Sequence, residues 1–215
     1  VEGVEAVPFS IHDAEPVEAT AKNITLSWGG ERVTSVLPGL FNAYNIVAAA
    51  TCAAKLGITK AAILSGIRGT KMIEGRAERI EGGQHFPVIV DYAHTPDSLE
   101  ALYSTFKGYE NICILGNTGG GRDKWKRPVM GKIAETHCKE VILTNEDPYD
   151  EDPRAILEEI AGGMTDKRPT IILDRREAIA KGIALANALN NPALLITGKG
   201  TDPYIMGPNG TKTPW

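Results

Sequence analysis

The sequence predicts an α/β fold in which a doubly wound, mostly parallel sheet follows a smaller N-terminal segment. Beyond residue 84, short β-rich runs that are apolar throughout alternate with helical stretches. A strand that is apolar on both faces has to be covered on both faces, which is typical of a parallel sheet between layers of helices. The runs are VIVD (88–91), ICIL (112–115), VILT (141–144), IILD (171–174) and LLIT (194–197).

The first 38 residues predict β-structure that contains a hairpin. Two runs rich in β-branched residues, NITLSW (23–28) and ERVTSVL (31–37), flank the dipeptide Gly29-Gly30. Such a pair of runs joined by two glycines is the pattern of a β-hairpin. We predict a further strand upstream, at VPFSIH (7–12).

Two helices and a domain boundary follow the hairpin. The segment 41–57 is Ala-rich with helical periodicity and ends at Gly57, a natural residue for a helix C-terminus. The segment 59–67 predicts a second, shorter helix. Residues 69–84 are Gly-rich, charged and poor in apolar side chains, which indicates a linker. We therefore expect two domains that meet near residue 78, covering residues 1–78 and 79–215.

Composition excludes several classes of protein. The formal net charge is −4, with 27 acidic against 23 basic residues, which argues against a nucleic-acid-binding surface. No apolar run approaches the length of a membrane span, about 20 residues. Three cysteines without CxxC spacing, Cys52, Cys113 and Cys138, predict buried reduced thiols in a cytoplasmic protein. The opening VEGVEAVPFS lacks an initiator Met and reads as part of a longer chain.

Ligand-binding residues are expected immediately after the predicted strands. In doubly wound sheets, ligands bind at the carboxyl ends of the strands. Thr95-Pro96 and Asp152-Pro153 fit helix starts with Pro behind a capping residue, so helices follow two of these ends. Many residues there are ordinary turn formers, but turns do not explain a concentration of charge of both signs. The charged residues are His94, Arg122, Lys124, Lys126, Arg127, Asp147, Lys199 and Asp202.

The loop after the second strand has the composition of an anion site. Gly119, Gly120 and Gly121 allow backbone N–H groups to approach an anion, and Arg122 can grip a carboxylate or phosphate. It is not a Walker A loop, because no Gly-Lys-Ser/Thr follows, and no dinucleotide fingerprint opens the first helix. Asp91 is free to bind a ligand hydroxyl if Thr95 caps the helix, and no pair of side chains forms an obvious acid–base or nucleophilic system.

Six ordered motifs together resemble the Mur ligases, and among them the branch that adds the third residue to a UDP-N-acetylmuramoyl dipeptide. The resemblance extends from about residue 38 to 205. The motifs are FNAYNIVAAA, GRAE, VDYAHTPDSLEAL, GGGRDKWKRPVMG, DPYDEDPRAI and GKGTDPY. It implies that residues 1–78 end a central ATPase domain and that residues 79–215 form a Rossmann-like C-terminal domain. The family's P-loop, magnesium ligands and modified lysine are then expected upstream, so this stretch alone is not expected to be active.

The resemblance implies ATP-dependent amide formation in the synthesis of peptidoglycan precursors. The substrates would be ATP with Mg²⁺, a UDP-N-acetylmuramoyl peptide and a free amino acid, with no nucleic acid and no membrane span. Candidate ATP-binding residues are Asn42, Asn45, Arg76, Asp91, Tyr92 and His94. Candidate amino-acid-binding residues are Arg122, Asp147, Pro148, Tyr149, Gly198 and Asp202. The basic residues Lys124, Lys126, Arg127 and Lys199 are candidates for phosphate contacts.

The identity of the added amino acid depends on a departure from the family pattern. Enzymes that use meso-diaminopimelate carry Asp-Asn-Pro-Arg where this chain has Glu146-Asp147-Pro148-Tyr149. Since the arginine is absent and Asp147 adds a negative charge, we predict a basic amino acid such as lysine or ornithine. Two other functions stay open: a ligase similar to folylpolyglutamate synthase or cyanophycin synthetase, and a non-catalytic nucleotide-binding domain.

Overall fold

The computed structural model describes residues 6–215, which form two compact units that divide between Met72 and Ile73. In the first unit, two helices pack against an antiparallel sheet. Its elements are β1 (Glu18–Ala19), β2 (Ile24–Trp28), β3 (Glu31–Ser35), α1 (Leu40–Lys55) and α2 (Lys60–Gly69). The predicted hairpin is present, because β2 and β3 pair with Trp28 opposite Glu31 around two glycines of positive φ. Ile24, Leu26 and Val47 lie in its core.

The second unit is built on a sheet of six strands, counted within residues 73–215. The strands are β4 (Glu78–Ile80), β5 (Val88–Val90), β6 (Glu110–Leu115), β7 (Glu140–Leu143), β8 (Thr170–Ile171) and β9 (Pro192–Ile196). Their spatial order is β4-β5-β9-β6-β7-β8, and every pair from β5 to β8 is parallel. The predicted mostly parallel α/β sheet is therefore confirmed. The sequence did not predict β4, which pairs with β5 in the antiparallel sense.

Helices cover both faces of this sheet. They are α3 (Pro96–Thr105), α4 (Lys126–His137), α5 (Pro153–Ala161) and α6 (Arg175–Ala186). One face packs Ile112, Ile114 and Leu194 against Ala178 of α6. Cys113 points to the opposite face, because side chains alternate along a strand, and it meets the C-terminal end of α4 at Cys138. The sheet is doubly wound, as the apolar runs predict.

The predicted helix starts at the two prolines are confirmed. The Thr95 hydroxyl accepts a hydrogen bond from the Ser98 backbone N–H in a capping box, and Pro96 is the first residue of α3. The Asp152 carboxylate accepts a hydrogen bond from the Arg154 N–H ahead of α5. These caps fix where each helix leaves the carboxyl edge of the sheet.

The prediction for the N-terminal segment differs from the structure. VPFSIH contains no strand, and Ile11–Ala14 form a 3-10 helix that Ser10 and Asp13 cap reciprocally. The two compact units divide within the predicted linker 69–84, and the residues around 78 form β4 in the sheet of the second unit. In that unit a side chain at Gly75 would come within 2.6 Å of the Thr201 backbone nitrogen. The early part of the predicted β-structure, residues 1–5, lies outside the described residues.

The cysteine prediction is confirmed for the burial of Cys113 and Cys138 but is wrong about their reduced state and about the burial of Cys52. Cys113 and Cys138 are joined by a disulfide between β6 and the end of α4, and Cys52 is exposed on α1. The two bonded residues are 25 positions apart, so no local spacing pattern indicates the pair. Separately, no helix among residues 6–215 is long and apolar enough to cross a bilayer.

Gly131 is required where α4 meets α5. A Cβ at Gly131 would lie 2.0 Å from the carbonyl oxygen of Ile160. We expect Gly131→Ala to destabilise the second unit by about 1–3 kcal/mol, because the two helices have to separate. Urea unfolding followed by NMR amide signals of this unit measures the loss.

Gly162→Ala is the matched control. Gly162 has α-helical φ and ψ at the end of α5, and its nearest neighbour would be 3.4 Å from the new Cβ. Its effect should stay within about 0.5 kcal/mol. Equal losses in the two variants would contradict the packing argument.

The carboxylate of Glu135 anchors the loop that leads into β8. It accepts hydrogen bonds from Lys132 Nζ and from the backbone N–H groups of Asp166, Lys167 and Thr165, at 2.6 to 2.9 Å. These donors, of which Lys132 has the largest effect, lower the pKa of Glu135 to about 2. Because the folded pKa lies below the ordinary value of about 4.3, the stabilisation is complete above that value and is lost as the pH falls toward 2.

We therefore expect Glu135→Gln to flatten the low-pH part of the stability curve. Glutamine keeps the shape of the side chain but does not titrate. The measurement is the Tm of the second unit between about pH 6 and pH 2. Glu158→Gln, an exposed change on α5, is the control and should keep the wild-type slope. An unchanged slope in Glu135→Gln would show that other carboxylates cause it.

Candidate functional site

A cavity of about 500 Å³ lies at the carboxyl edge of the parallel strands. Its walls come from the loops after β5, β6, β7 and β9, which the strand order brings side by side. The expected site residues found in its lining are Tyr92, His94, Arg122, Lys126, Asp147, Tyr149, Gly198, Lys199 and Asp202. The structure thus gathers residues that are more than 100 positions apart in the sequence around one space.

The loops after β7 and β9 are joined by a buried ion pair. Lys199 is 1% exposed, and its Nζ lies 2.9 Å from both carboxylate oxygens of Asp147. Asp202 is the second acid near this ammonium, at 3.6 Å. Because its charge is matched within the protein, Lys199 is poorly suited to the phosphate contact suggested for it.

Arg127 has a similar internal role. It is fully buried in the first turn of α4, where its guanidinium contacts Glu151 at 3.2 Å and Glu159 at 2.8 Å. It also donates to the side chain of Asn117 and to the carbonyl of Thr118 in the Gly-rich loop. This geometry disfavours the suggested phosphate contact and makes Arg127 a link between the loops after β6 and β7.

The glycines of the same loop are needed mainly for close packing. A Cβ at Gly119 would lie 2.2 Å from the carbonyl oxygen of Pro148, and Gly120 and Gly121 have φ values of +66° and +79°. The Gly119 N–H donates to the Asp147 carbonyl at 2.8 Å. The glycines therefore allow the loop to pack closely against the segment after β7. Fewer of its backbone N–H groups are then free to bind an anion than the composition suggests.

The other basic residues of this loop differ in whether their side chains already have a partner. Lys124 pairs with Glu151 at 2.8 Å, and Lys126 donates to the His94 carbonyl at 3.1 Å. Arg122 is exposed, and within residues 6–215 its guanidinium has no hydrogen-bond or ion-pair partner. Arg122 is thus the arginine on this wall that is available to a ligand carboxylate.

Glu146 is a site residue that the sequence analysis missed. It is 2% exposed and lines the cavity; its Oε1 accepts the Thr118 hydroxyl at 2.9 Å, whereas its Oε2 has no partner among the described residues. Burial raises the pKa of this carboxyl, and the nearby Arg175 opposes the shift. A Cβ at Gly198 would lie 2.2 Å from Oε2, so a glycine is required beside it. In the sequence, Glu146 begins the EDPY segment, of which residues 147–149 were the predicted site residues.

The residues after β5 hold each other in place. The carboxylate of Asp91 accepts the backbone N–H groups of Ala77 and Ala93, each at 2.6 Å. Its pKa is raised, chiefly by burial, while these two hydrogen bonds act in the opposite direction. Tyr92 lies beneath the guanidinium of Arg76, which is 4.8 Å from the ring centroid. Both oxygens of Asp91 are occupied, so the ribose contact suggested for it stays a prediction.

Two further candidates lie in the first unit. Asn42 is buried on α1, where its amide donates to the Pro38 carbonyl at 2.9 Å. The exposed Asn45 donates to the Asn42 side chain at 3.2 Å. Asn42 therefore fixes the start of α1, and its contact with a nucleotide stays a prediction.

A C-terminal hairpin completes the cavity and was not predicted. β10 (Tyr204–Met206) pairs with β11 (Lys212–Pro214), and Tyr204, Met206 and Lys212 line the cavity. The Met206 N–H donates to Asp147 at 2.8 Å, and the Tyr149 N–H donates to the Met206 carbonyl at 3.0 Å. The strands are short and half-exposed, so the sequence carries little signal for them.

Comparison with known proteins agrees with this arrangement. The family described as "Mur ligase, glutamate ligase domain" matches residues 75–200. The diaminopimelate ligase of Bacillus cereus, named UDP-N-acetylmuramoyl-L-alanyl-D-glutamate–2,6-diaminopimelate ligase, is 40% identical over 87% of this chain and 40% of its own length. The protein of the same name from Syntrophomonas wolfei is 43% identical over 79% of this chain and 35% of its length.

Solved structures show the same fold. A structure of a ligase with that name covers 99% of this chain and 44% of its own, with a TM-score of 0.61 and 28% identity. The folylpolyglutamate synthase of Mycobacterium tuberculosis, complexed with ADP and AMPPCP, has a TM-score of 0.67 over 86% of this chain and 44% of its own. At 22% identity, that likeness shows the fold alone.

This chain spans about 40% of the length of the curated relatives it matches. The match over residues 75–200 covers more than half of the chain and most of the second unit, including all six strands of its mostly parallel sheet. The chain therefore belongs to the Mur ligase family.

Proposed function

We propose that this chain is the part of an ATP-dependent amide ligase that binds the incoming amino acid, in an enzyme that extends a UDP-N-acetylmuramoyl peptide. The observation that carries the proposal is the cavity at the carboxyl edge, with the unpaired guanidinium of Arg122 on its wall. The names of relatives about 40% identical to the chain support the choice of substrates.

The chemistry matches the kind of site that is present. ATP would activate the terminal carboxylate of the nucleotide peptide as an acyl phosphate, and the amine of the amino acid would displace the phosphate. Such a reaction depends on positioning and on neutralising charge rather than on a nucleophilic side chain. In this chain, Arg122 would hold the carboxylate of the amino acid.

The residues that bind ATP and Mg²⁺ would lie largely in the rest of such an enzyme. Across residues 6–215, no group of three or more His, Cys, Asp or Glu side chains is placed to hold a metal ion. The sequence also has no Gly-Lys-Ser/Thr phosphate loop. In the second unit, Arg76, exposed above the ring of Tyr92, would be a candidate for a phosphate contact.

The prediction of lysine or ornithine as the added amino acid now has weaker support. It relied on Asp147 as a free negative charge, whereas Asp147 is ion-paired with Lys199. The relatives are also named as ligases of 2,6-diaminopimelate. The amino acid is decided by amide-forming assays with UDP-N-acetylmuramoyl-L-alanyl-D-glutamate, ATP and each candidate in turn.

We expect Arg122→Ala to weaken the use of the amino acid specifically. In the complete ligase, the KM for the amino acid should rise about 10- to 100-fold, since a charge-assisted hydrogen bond contributes about 1.5–3 kcal/mol. The KM for ATP should stay the same. Steady-state kinetics of amide formation measure both.

Arg176→Ala, an exposed change on α6 away from the cavity, is the matched control and should leave both constants unchanged. A selective rise in the KM for ATP in Arg122→Ala would instead place Arg122 at the nucleotide. If no ATP-dependent amide formation occurs with any amino acid, the proposed function fails.

Substitution of Asp91 distinguishes a structural role of this carboxylate from a nucleotide-binding role. Asp91→Ala would leave the buried N–H groups of Ala77 and Ala93 without acceptors. We expect it to destabilise the second unit by about 2–4 kcal/mol, from two unsatisfied donors. Urea unfolding of the chain is the measurement, with the exposed Asp123→Ala as the control. Unchanged stability with a raised KM for ATP in the ligase would restore the ribose contact.

A further inference from the structure

The C-terminal hairpin forms one wall of the cavity and is held firmly there. Three backbone N–H groups tie it to the segment after β7: Met206 to Asp147, Tyr149 to Met206, and Asn209 to Asp150, all at 2.8 to 3.0 Å. Lys212 lies opposite Met206 in the hairpin register and lines the cavity. Its backbone position is therefore fixed relative to the loop after β7.

The four cations of the cavity wall differ in whether they already have a partner. Lys199 is paired with Asp147, and Lys126 donates to the His94 carbonyl. Among the residues that the structure describes, Arg122 and Lys212 have no carboxylate partner. Lys212 Nζ instead lies 5.9 Å from the centroid of the Tyr204 ring. This contact is compatible with an additional anionic partner.

Four acids also line the cavity, and none of them forms an ion pair with Arg122 or Lys212 among the described residues. Asp147 is neutralised by Lys199, and Asp202 lies 3.6 Å from the same ammonium and accepts the Tyr92 hydroxyl. Asp123 is exposed and makes no ion pair within residues 6–215. Glu146 is buried, and its unpartnered Oε2 lies against Gly198 rather than open to the cavity.

We propose that Lys212 binds a second carboxylate of the incoming amino acid and thereby selects a diacid over lysine or ornithine. The inference rests on the proposed function, in which Arg122 takes the first carboxylate. Two cations without carboxylate partners on the walls of one cavity match a ligand with two carboxylates. The lysine side chain is long and flexible, so its ammonium can reach such a group from a fixed backbone position.

The test is an NMR titration of the ¹⁵N-labelled chain with meso-2,6-diaminopimelate, L-lysine and inorganic phosphate. Wild type should bind diaminopimelate more tightly than lysine. Lys212→Met should weaken diaminopimelate about tenfold and leave lysine within about twofold, since one charge-assisted contact is lost. Lys212→Arg should retain the preference. Lys181→Met, an exposed lysine change on α6, is the matched control and should behave as wild type.

The other outcomes separate this inference from the function on which it rests. If lysine binds more tightly than diaminopimelate, or if Lys212→Met weakens both equally, Lys212 does not select a diacid. If Lys212→Met weakens phosphate while the amino acids bind as before, Lys212 belongs to a phosphate site. In each case, loss of amino-acid binding in Arg122→Ala would preserve the proposed function. Binding of no amino acid at all would overturn both.

Discussion

The cavity depends on the buried ion pair between Lys199 and Asp147. Removing a lysine ammonium from water is costly unless an opposite charge and good geometry offset it, and here both carboxylate oxygens lie at 2.9 Å. The pair joins the loops after β7 and β9, although β6 lies between these strands. Asp147 also accepts the Met206 N–H, so one carboxylate fixes two loops and the hairpin. Such a pair contributes less to net stability than to a single arrangement of the site.

A second network, of ion pairs and hydrogen bonds around Glu151, holds the Gly-rich loop in place. The carboxylate of Glu151 pairs with Lys124 and Arg127 and accepts a hydrogen bond from the Gly121 N–H. These interactions, of which the hydrogen bond from Lys124 has the largest effect, lower the pKa of Glu151 to about 2. Arg127 continues the network to the Thr118 carbonyl and to Glu159 on α5. The basic run after the glycines is therefore used mostly inside the protein. This leaves Arg122 free on the wall while its backbone is held.

The sequence was sufficient for the sheet and for the edge at which the site lies. The strands 88–90, 110–115, 140–143 and 192–196 are apolar on both faces, a pattern that few other structures satisfy. The partners of Lys199 and Arg127 were not predictable, because charge type alone does not show which acid, 24 to 52 positions away, will meet a given cation. The disulfide was missed for the same reason, because it joins residues that are 25 positions apart. The C-terminal hairpin was missed because its two strands are short and half-exposed.

The strand order has a consequence for how the molecule behaves in a crowded solution. A parallel sheet ends in two strands whose outer backbone groups can template association with another chain. Here the outermost strands are β4, with Glu78 and Arg79, and β8, which has two residues and follows Lys167, Arg168 and Pro169. Short length, charge and a nearby proline are the features that discourage edge-to-edge pairing. The antiparallel strand β4 therefore shields the long apolar core strands from aggregation.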